Sequence, residues 1–219
     1  NIEVAALSET RLTDEGQLTK TSGGYTFFKG KEHGGKQSGV GFVIHTKLVS
    51  ELDSIPKGIS DQLMLMRILL KYNKQVTLVS AYIATKSCNT EDKETFYSDL
   101  HRIVSATPNA EKLIFMGTFS AWVGADYTVC NGVTGKHGVG SMNSNGLLLL
   151  SKCNKHQLTI TDIISKEMTW MHPGSEHWHL IDYITVRQRD VQDVLCWMNH
   201  WLIRSKQFLV ISPCCTVLV

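Results

Sequence analysis

No stretch of this chain is apolar for long enough to cross a membrane as a helix, which takes about 18–20 residues. The longest candidate, Phe208 to Val219, falls short and is broken by Ser212 and Pro213. Charge of one sign is also missing: the formal net charge is only +2 over 219 residues. A strongly basic balance would point straight to nucleic acid; this one permits a local basic groove and no more. There is no low-complexity tract, no internal repeat and no Pro/Gly/Ser-rich linker to divide the chain. The first residues carry no secretory signal pattern, so the six cysteines are expected as reduced thiols rather than a disulfide framework. These absences leave a soluble protein, nuclear or cytoplasmic, as the expectation.

What is present is a run of short strand signals with few helices. Ile2 to Leu7, Tyr25 to Phe28, Val40 to His45, Leu63 to Leu70 and Gln75 to Tyr82 read as strands. The Gly/Lys-rich stretch Lys29 to Gln37 reads as an exposed turn, and Asn73 as a hairpin tip. Thr90 to Ser105 has helical spacing, with Phe96, Leu100, Ile103 and Val104 on one face. Leu113 to Met116 is a brief strand ending at Gly117, and Ser144 to His156 a helix that buries Leu147, Leu148 and Leu150. Leu158 to Thr161, Leu180 to Val186 and Leu202 to Val210 complete the strands. Many strands and few helices imply two packed sheets flanked by helices, a layered α+β architecture.

Four apolar strands deliver polar residues at or near their ends: Glu9 after Val4-Ala5-Ala6-Leu7, Tyr82 after Thr77 to Ala81, Thr118 and Ser120 after Leu113 to Gly117, and Asp182 within Leu180 to Tyr183. Strands also end in polar residues simply because they end at solvent. A sheet that presents several such groups together, however, can hold a reactive site rigidly.

Taken in order, these segments resemble the motifs of the exonuclease–endonuclease–phosphatase superfamily. Leu7-Ser8-Glu9-Thr10-Arg11 resembles its metal-binding glutamate motif, Ser80-Ala81-Tyr82 its tyrosine motif, and His179-Leu180-Ile181-Asp182-Tyr183 its Ile/Leu-Asp-Tyr motif. Met116-Gly117-Thr118-Phe119-Ser120-Ala121 stands in place of Gly-Asp-Phe-Asn, and Trp197-Met198-Asn199-His200 in place of Ser/Thr-Asp-His. Gly135 to Gly140 and Trp178 to Tyr183 look most like the RTE (BovB-type) retrotransposon endonucleases, whose relatives sit inside Bucentaur and craniofacial-development proteins. The resemblance covers about residues 1 to 206; residues 207–219 form a divergent apolar tail.

The resemblance implies a four-layered α/β/β/α sandwich of two mostly antiparallel sheets, and Mg²⁺- or Mn²⁺-dependent hydrolysis of DNA phosphodiesters. Glu9 would be the metal ligand, Tyr82 and His200 would contact phosphate, and Asp182 would orient polar groups around them. Lys136 and His137 would lie against DNA. Three positions depart from the pattern: Thr118 replaces the aspartate that orients the attacking water, Ser120 an asparagine, and Asn199 the aspartate beside the final histidine. The family's first strand, which carries an asparagine of the metal site, would precede Asn1, and the stretch from Asp182 to His200 is short for the family. The expectation is therefore a weak or inactive nuclease, or a catalytically dead binding module within a longer polypeptide. With that first strand missing, Leu202 to Val210 is expected to show an unpaired edge.

Other patterns carry less. His172, His177 and His179 lie close in sequence, but no Cys pair with zinc-finger spacing accompanies them. Cys214-Cys215 are adjacent, a poor arrangement for a disulfide. Gly135 to Gly140 lacks the Gly-Lys-Ser/Thr ending of a phosphate loop.

Overall fold

A computed structural model describes residues 3–10, 16–20, 23–30, 39–70, 74–83, 90–125, 132–134, 140–161, 170–171, 178–197, 200–203 and 206–211. In chain order the strands are β1 (Val4–Ser8), β2 (Gly16–Lys20), β3 (Tyr25–Lys29), β4 (Val40–His45), β5 (Lys57–Gly58), β6 (Leu63–Leu70), β7 (Lys74–Tyr82) and β8 (Lys112–Thr118). They continue as β9 (Leu158–Ile160), β10 (Trp170–Met171), β11 (Trp178–His179), β12 (Asp182–Arg187), β13 (Val194–Trp197), β14 (His200–Ile203) and β15 (Lys206–Ile211). Among the described residues three α-helices join them, α1 (Thr46–Val49), α2 (Thr90–Ala106) and α3 (Ser144–Lys155), with a 3-10 helix over Gln188–Asp193.

The strands form a seven-stranded sheet, in the order β13-β14-β15-β1-β4-β3-β2, a six-stranded sheet, β5-β6-β7-β8-β12-β9, and a separate two-stranded pair, β10-β11. Alternation explains how the two large sheets meet. In β1 and β4, Val4, Ala6, Phe42 and Ile44 share one face; they pack on Met64, Met66, Leu78, Ile114, Met116, Ile184 and Val186 of the six-stranded sheet. The opposite face of that sheet, with Leu63, Val79, Leu113 and Phe115, receives Phe96, Leu100 and Ile103 of α2 and Leu149, Leu150 and Cys153 of α3. Being buried on both faces, β7 and β8 need near-continuous apolar runs, and Leu113 to Met116 supply one. These two strands are parallel neighbours, so a crossover must join them, and α2 lies in it. The expected α+β sandwich of two mostly antiparallel sheets is the observed fold. Among the described residues no helix is long and apolar enough to cross a membrane.

Several local expectations need correction. Leu147 is 53% exposed, because the buried face of α3 runs through Gly146, Leu149, Leu150 and Cys153 at helical spacing and leaves Leu147 off it. Lys29 is not in an exposed turn but is the buried last residue of β3; most of that predicted turn lies outside the described residues. Leu202 to Val210 is not one strand but parts of two, β14 and β15, antiparallel through Leu202↔Gln207 and Ile203↔Lys206.

The expected unpaired edge is likewise absent. β15 runs parallel to β1, in the register Val4↔Phe208, Ala5↔Leu209, Ala6↔Val210 and Leu7↔Ile211. The physical reason is that β1, bonded to β4 on one side, offers a free row of N–H and C=O groups on the other. Residues that the sequence comparison set apart as a tail fill that row. The outer place in the sheet passes to β13.

Candidate active site

At one end of the sandwich the inner faces of the two sheets deliver polar residues to the same place. β7 and β8 are parallel, so their last residues, Tyr82 and Thr118, stand side by side. β12 is antiparallel to β8, so its first residue, Asp182, stands level with Thr118 on the other flank. Tyr82, Thr118 and Asp182 thus form one row across three strands. Each continues the inward alternation of its own strand: Leu78 and Ser80 before Tyr82, Ile114 and Met116 before Thr118, and Ile184 and Val186 after Asp182. Where the apolar core between the sheets ends, these polar groups begin.

The facing sheet closes the site from above. In β1 the inward series Val4, Ala6, Ser8 ends in a serine. The Ser8 hydroxyl lies 2.9 Å from that of Thr118, and the Ser80 hydroxyl donates to the carbonyl of Leu7 at 3.0 Å. The Thr118 hydroxyl donates to the carboxylate of Asp182. An ionised carboxylate only accepts, so the single Thr118 proton is committed to Asp182 and Ser8 must donate to Thr118. The result is a one-way relay, Ser8 to Thr118 to Asp182, in which all three residues are almost fully buried. Such chains polarise one another and become stronger where water is excluded.

The backbone around the row is specialised. Gly117 has φ 151°, and a Cβ there would stand 1.8 Å from the carbonyl oxygen of Ala81. Only glycine lets β7 and β8 approach this closely one residue before the row. Among the described residues three non-glycine positions have positive φ, and two flank this site: Glu9 at 55° and Ser120 at 45°. Left-handed backbone costs such residues about 1–2 kcal/mol, and strain of that kind gathers at functional sites.

The loop after β8 is held in several places. Tyr183, 1% exposed, donates its hydroxyl to the carbonyls of Ala121 at 2.8 Å and Leu180 at 3.0 Å. Asn145 donates to the carbonyl of Ser120 at 3.3 Å. The Asn143 carboxamide oxygen accepts from Trp122 N at 3.0 Å and Gly146 N at 2.7 Å, which caps α3 and fixes the loop in one stroke.

The structure therefore brings together four of the residues singled out from sequence, namely Tyr82, Thr118, Asp182 and, two positions beyond β8, Ser120. Glu9 lies one residue past Ser8, at the end of β1, and is partly buried. His200 opens β14 with its backbone opposite Trp197; its side chain, and Asn199, Lys136 and His137 entirely, lie outside the described residues. Three contributors escaped the sequence reading: Ser8, Tyr183 and Asn145. Ser8 was legible in principle as the only polar residue on the inward alternation of β1. Tyr183 was read as part of a motif, and its work in pinning the loop needed coordinates.

For a divalent cation, the described residues offer a thin donor set. Among them no three His, Cys, Asp or Glu side chains come together, and the Asp182 carboxylate already accepts from Thr118. Mg²⁺ is satisfied by one or two carboxylates with water completing its shell, so Glu9 fits that minimum and no more.

No family model matches the chain. It is 26% identical over 195 residues to craniofacial development protein 2 of Bos taurus, an alignment that takes in 86% of this chain and 32% of that protein. The chain thus spans about a third of the length of that curated relative. Among solved structures it superposes on the endonuclease domain of TRAS1, a telomere-specific non-LTR retrotransposon, with a TM-score of 0.59 at 16% identity, covering 80% of this chain and 72% of that one. An AP endonuclease from Leishmania major superposes with a TM-score of 0.58 at 13% identity, covering 88% and 72%. The chain has the endonuclease/exonuclease/phosphatase fold.

Proposed function

We propose that this chain is an apurinic/apyrimidinic-endonuclease-like domain of retrotransposon origin whose Mg²⁺-dependent hydrolysis of DNA is weak or absent. One observation carries the reading: the central position of the row, Thr118, is a hydroxyl that spends its proton on Asp182. At neutral pH it cannot take a proton from an attacking water, and general-base help is worth about 10²–10⁴ in rate. Ser120 is a shorter donor than asparagine, and one misplaced transition-state donor costs about 10²–10³. Asn199 withdraws a negative charge from beside His200. Groups that act as a unit lose activity non-additively, and the first loss alone removes most of it.

What remains suits phosphate. Glu9 would hold Mg²⁺ or Mn²⁺ largely through water, and the ion would neutralise phosphate charge. Tyr82 and His200 would contact phosphate oxygens, Asp182 would orient the polar groups between them, and Lys136 and His137 would meet the DNA backbone. The nuclease structures that share the fold support DNA as the partner class. The decisive measurement is nicking of supercoiled plasmid and of an abasic duplex with Mg²⁺ or Mn²⁺, beside an intact abasic endonuclease. The expected rate is close to that of buffer; a rate matching the intact enzyme overturns the reading.

A second reading is a non-cleaving binding or interaction module, nuclear or cytoplasmic, within a longer polypeptide. It is favoured by the share of the craniofacial relative that this chain spans. DNA retained in a gel shift without any nicking distinguishes it from a weak nuclease.

A further inference from the structure

A second polar site lies at the far end of the sandwich, where β8 begins rather than ends, a strand's length of ~20 Å from Thr118. There α2 and α3 end side by side. The imidazoles of His101, on α2, and His156, which caps α3, stack with their centres 4.9 Å apart. The Ser105 hydroxyl lies 3.4 Å from Nδ1 of His101. Beside them opens a pocket of about 400 Å³, lined by Ser105, Thr107, Asn109, Lys155, His156 and Gln157 among others.

Its floor is built firmly. Arg187, buried at the end of β12, donates through Nη2 to the carbonyl of Thr107 at 2.7 Å and through Nη1 to that of Pro108 at 2.9 Å. Nη1 also reaches the Asn109 carboxamide oxygen at 3.3 Å, which leaves the amide N–H groups as what this side chain can offer. The Ser105 hydroxyl adds a further donor, whereas that of Thr107 is spent on the Ile103 carbonyl at 2.8 Å.

The charge around His156 is basic, while on the floor the acidic Asp190 and Glu111 act on Arg187. The charged neighbours that act on the His156 imidazole are all basic: His101 from α2, and Lys155 and Lys152 from α3. Asp99 of α2 is held by Arg102 at 2.8 Å. Two lysines repel a metal cation from the paired imidazoles, whereas an oxyanion in the pocket would meet Lys155 and His156 directly and accept from the surrounding donors.

We infer that this pocket is an anion site that takes a phosphate group, separate from the strand-end row. It stands whether or not that row cleaves anything. Burial first, and the basic neighbours after it, hold the His156 imidazole below its ordinary range. A bound phosphate reverses the second cause, so binding takes up a proton and tightens as pH falls through the imidazole range.

The test is an NMR titration of the whole chain with inorganic pyrophosphate and, separately, with a short DNA duplex. Shifts are expected at residues 101–109 and 152–157, with affinity at least about threefold tighter at about pH 6 than at about pH 7.5. Lys155 is exposed, so Lys155→Glu leaves the fold intact, checked on the same spectra, and is expected to weaken binding roughly tenfold. Shifts here with pyrophosphate alone identify a free phosphate compound as the source; shifts here with the duplex identify a nucleic-acid backbone. No shifts at these residues with either probe, or an affinity that ignores both pH and Lys155→Glu, overturns the site.

Discussion

Thr118 donates its hydroxyl proton to the carboxylate of Asp182, its register partner on the neighbouring strand, and receives one in turn from Ser8 of the facing sheet. Under the proposed function this position, where the resemblance implies a proton-accepting aspartate, carries a donor instead. The relay joins the two sheets at the end where their apolar core runs out. Thr118→Val removes the middle of it and leaves both Ser8 and Asp182 short of a partner. The expected loss is about 1–3 kcal/mol by urea unfolding, with Ser8→Ala costing less, about 0.5–1.5 kcal/mol. The double variant should lose less than the sum of the two. Strict additivity would show that the relay is not coupled.

Thr118→Asp should behave oppositely to a repaired enzyme when no metal is present. It places a second carboxylate against Asp182 in a buried row, and like charges there raise the proton affinity of the pair. A carboxyl whose folded pKa lies above its unfolded value of about 3.9 adds stability below that value and loses it as pH rises through the folded pKa. The variant should therefore melt highest near pH 4 and lowest near neutrality, and millimolar Mg²⁺ should recover part of the loss at pH 7. A melting curve that rises with pH, as in a chain with paired carboxylates, contradicts this. Adding Ser120→Asn and Asn199→Asp should raise nicking above that of the unmodified chain.

Gly117→Ala tests the close approach of β7 and β8. The added methyl would meet the Ala81 carbonyl oxygen at 1.8 Å, in a backbone conformation that disfavours any side chain. Destabilisation of at least about 4 kcal/mol is expected, the range reserved for strain and overpacking in a core. By contrast Gly140→Ala, whose Cβ would meet nothing within 4 Å, should cost only the φ strain of about 1–2 kcal/mol. Equal effects at the two glycines would show that conformation alone matters and the approach does not.

Removal of β15 is the fourth test. A chain stopped at Ser205 strips β1 and β14 of their shared neighbour and exposes a sheet edge. Light scattering should show self-association of the shortened chain and not of the full one. If both are monodisperse, the β1–β15 pairing contributes nothing in solution.

Much of the fold was legible because its signals are local. Val40 to His45 and Leu63 to Leu70 are strands with the bounds their composition announces, and α2 exceeds its expected end by one residue. The row of Tyr82, Thr118 and Asp182 was legible as three separate strand ends, but nothing local says that β7 and β8 are parallel and β12 reversed, which is what makes them neighbours. Ser8 was hidden for a related reason. Its partner is 110 positions away, and a serine at the end of a strand looks like any other approach to solvent. Leu147 misled because four consecutive leucines cannot all face inward on a helix, and only the contact with Trp122 at Gly146 decides which do. The expected open edge at Leu202 to Val210 misled because a local signal marks a strand but not its partner, and β1 supplies one from about 200 residues away.

The parallel pairing of Val4 with Phe208 has a consequence for how the molecule comes into being. About 200 residues separate these two partners, so the contact cannot form until Phe208 has been made. The six-stranded sheet and its two covering helices need nothing beyond Arg187 and can assemble on the ribosome, with domains growing at about 5–20 residues per second. β1, made before them, must wait with one row of hydrogen-bonding groups open until β15 emerges. Loop closure over such a span is slow, and for that interval the nascent chain offers any passing strand the place that β15 finally takes.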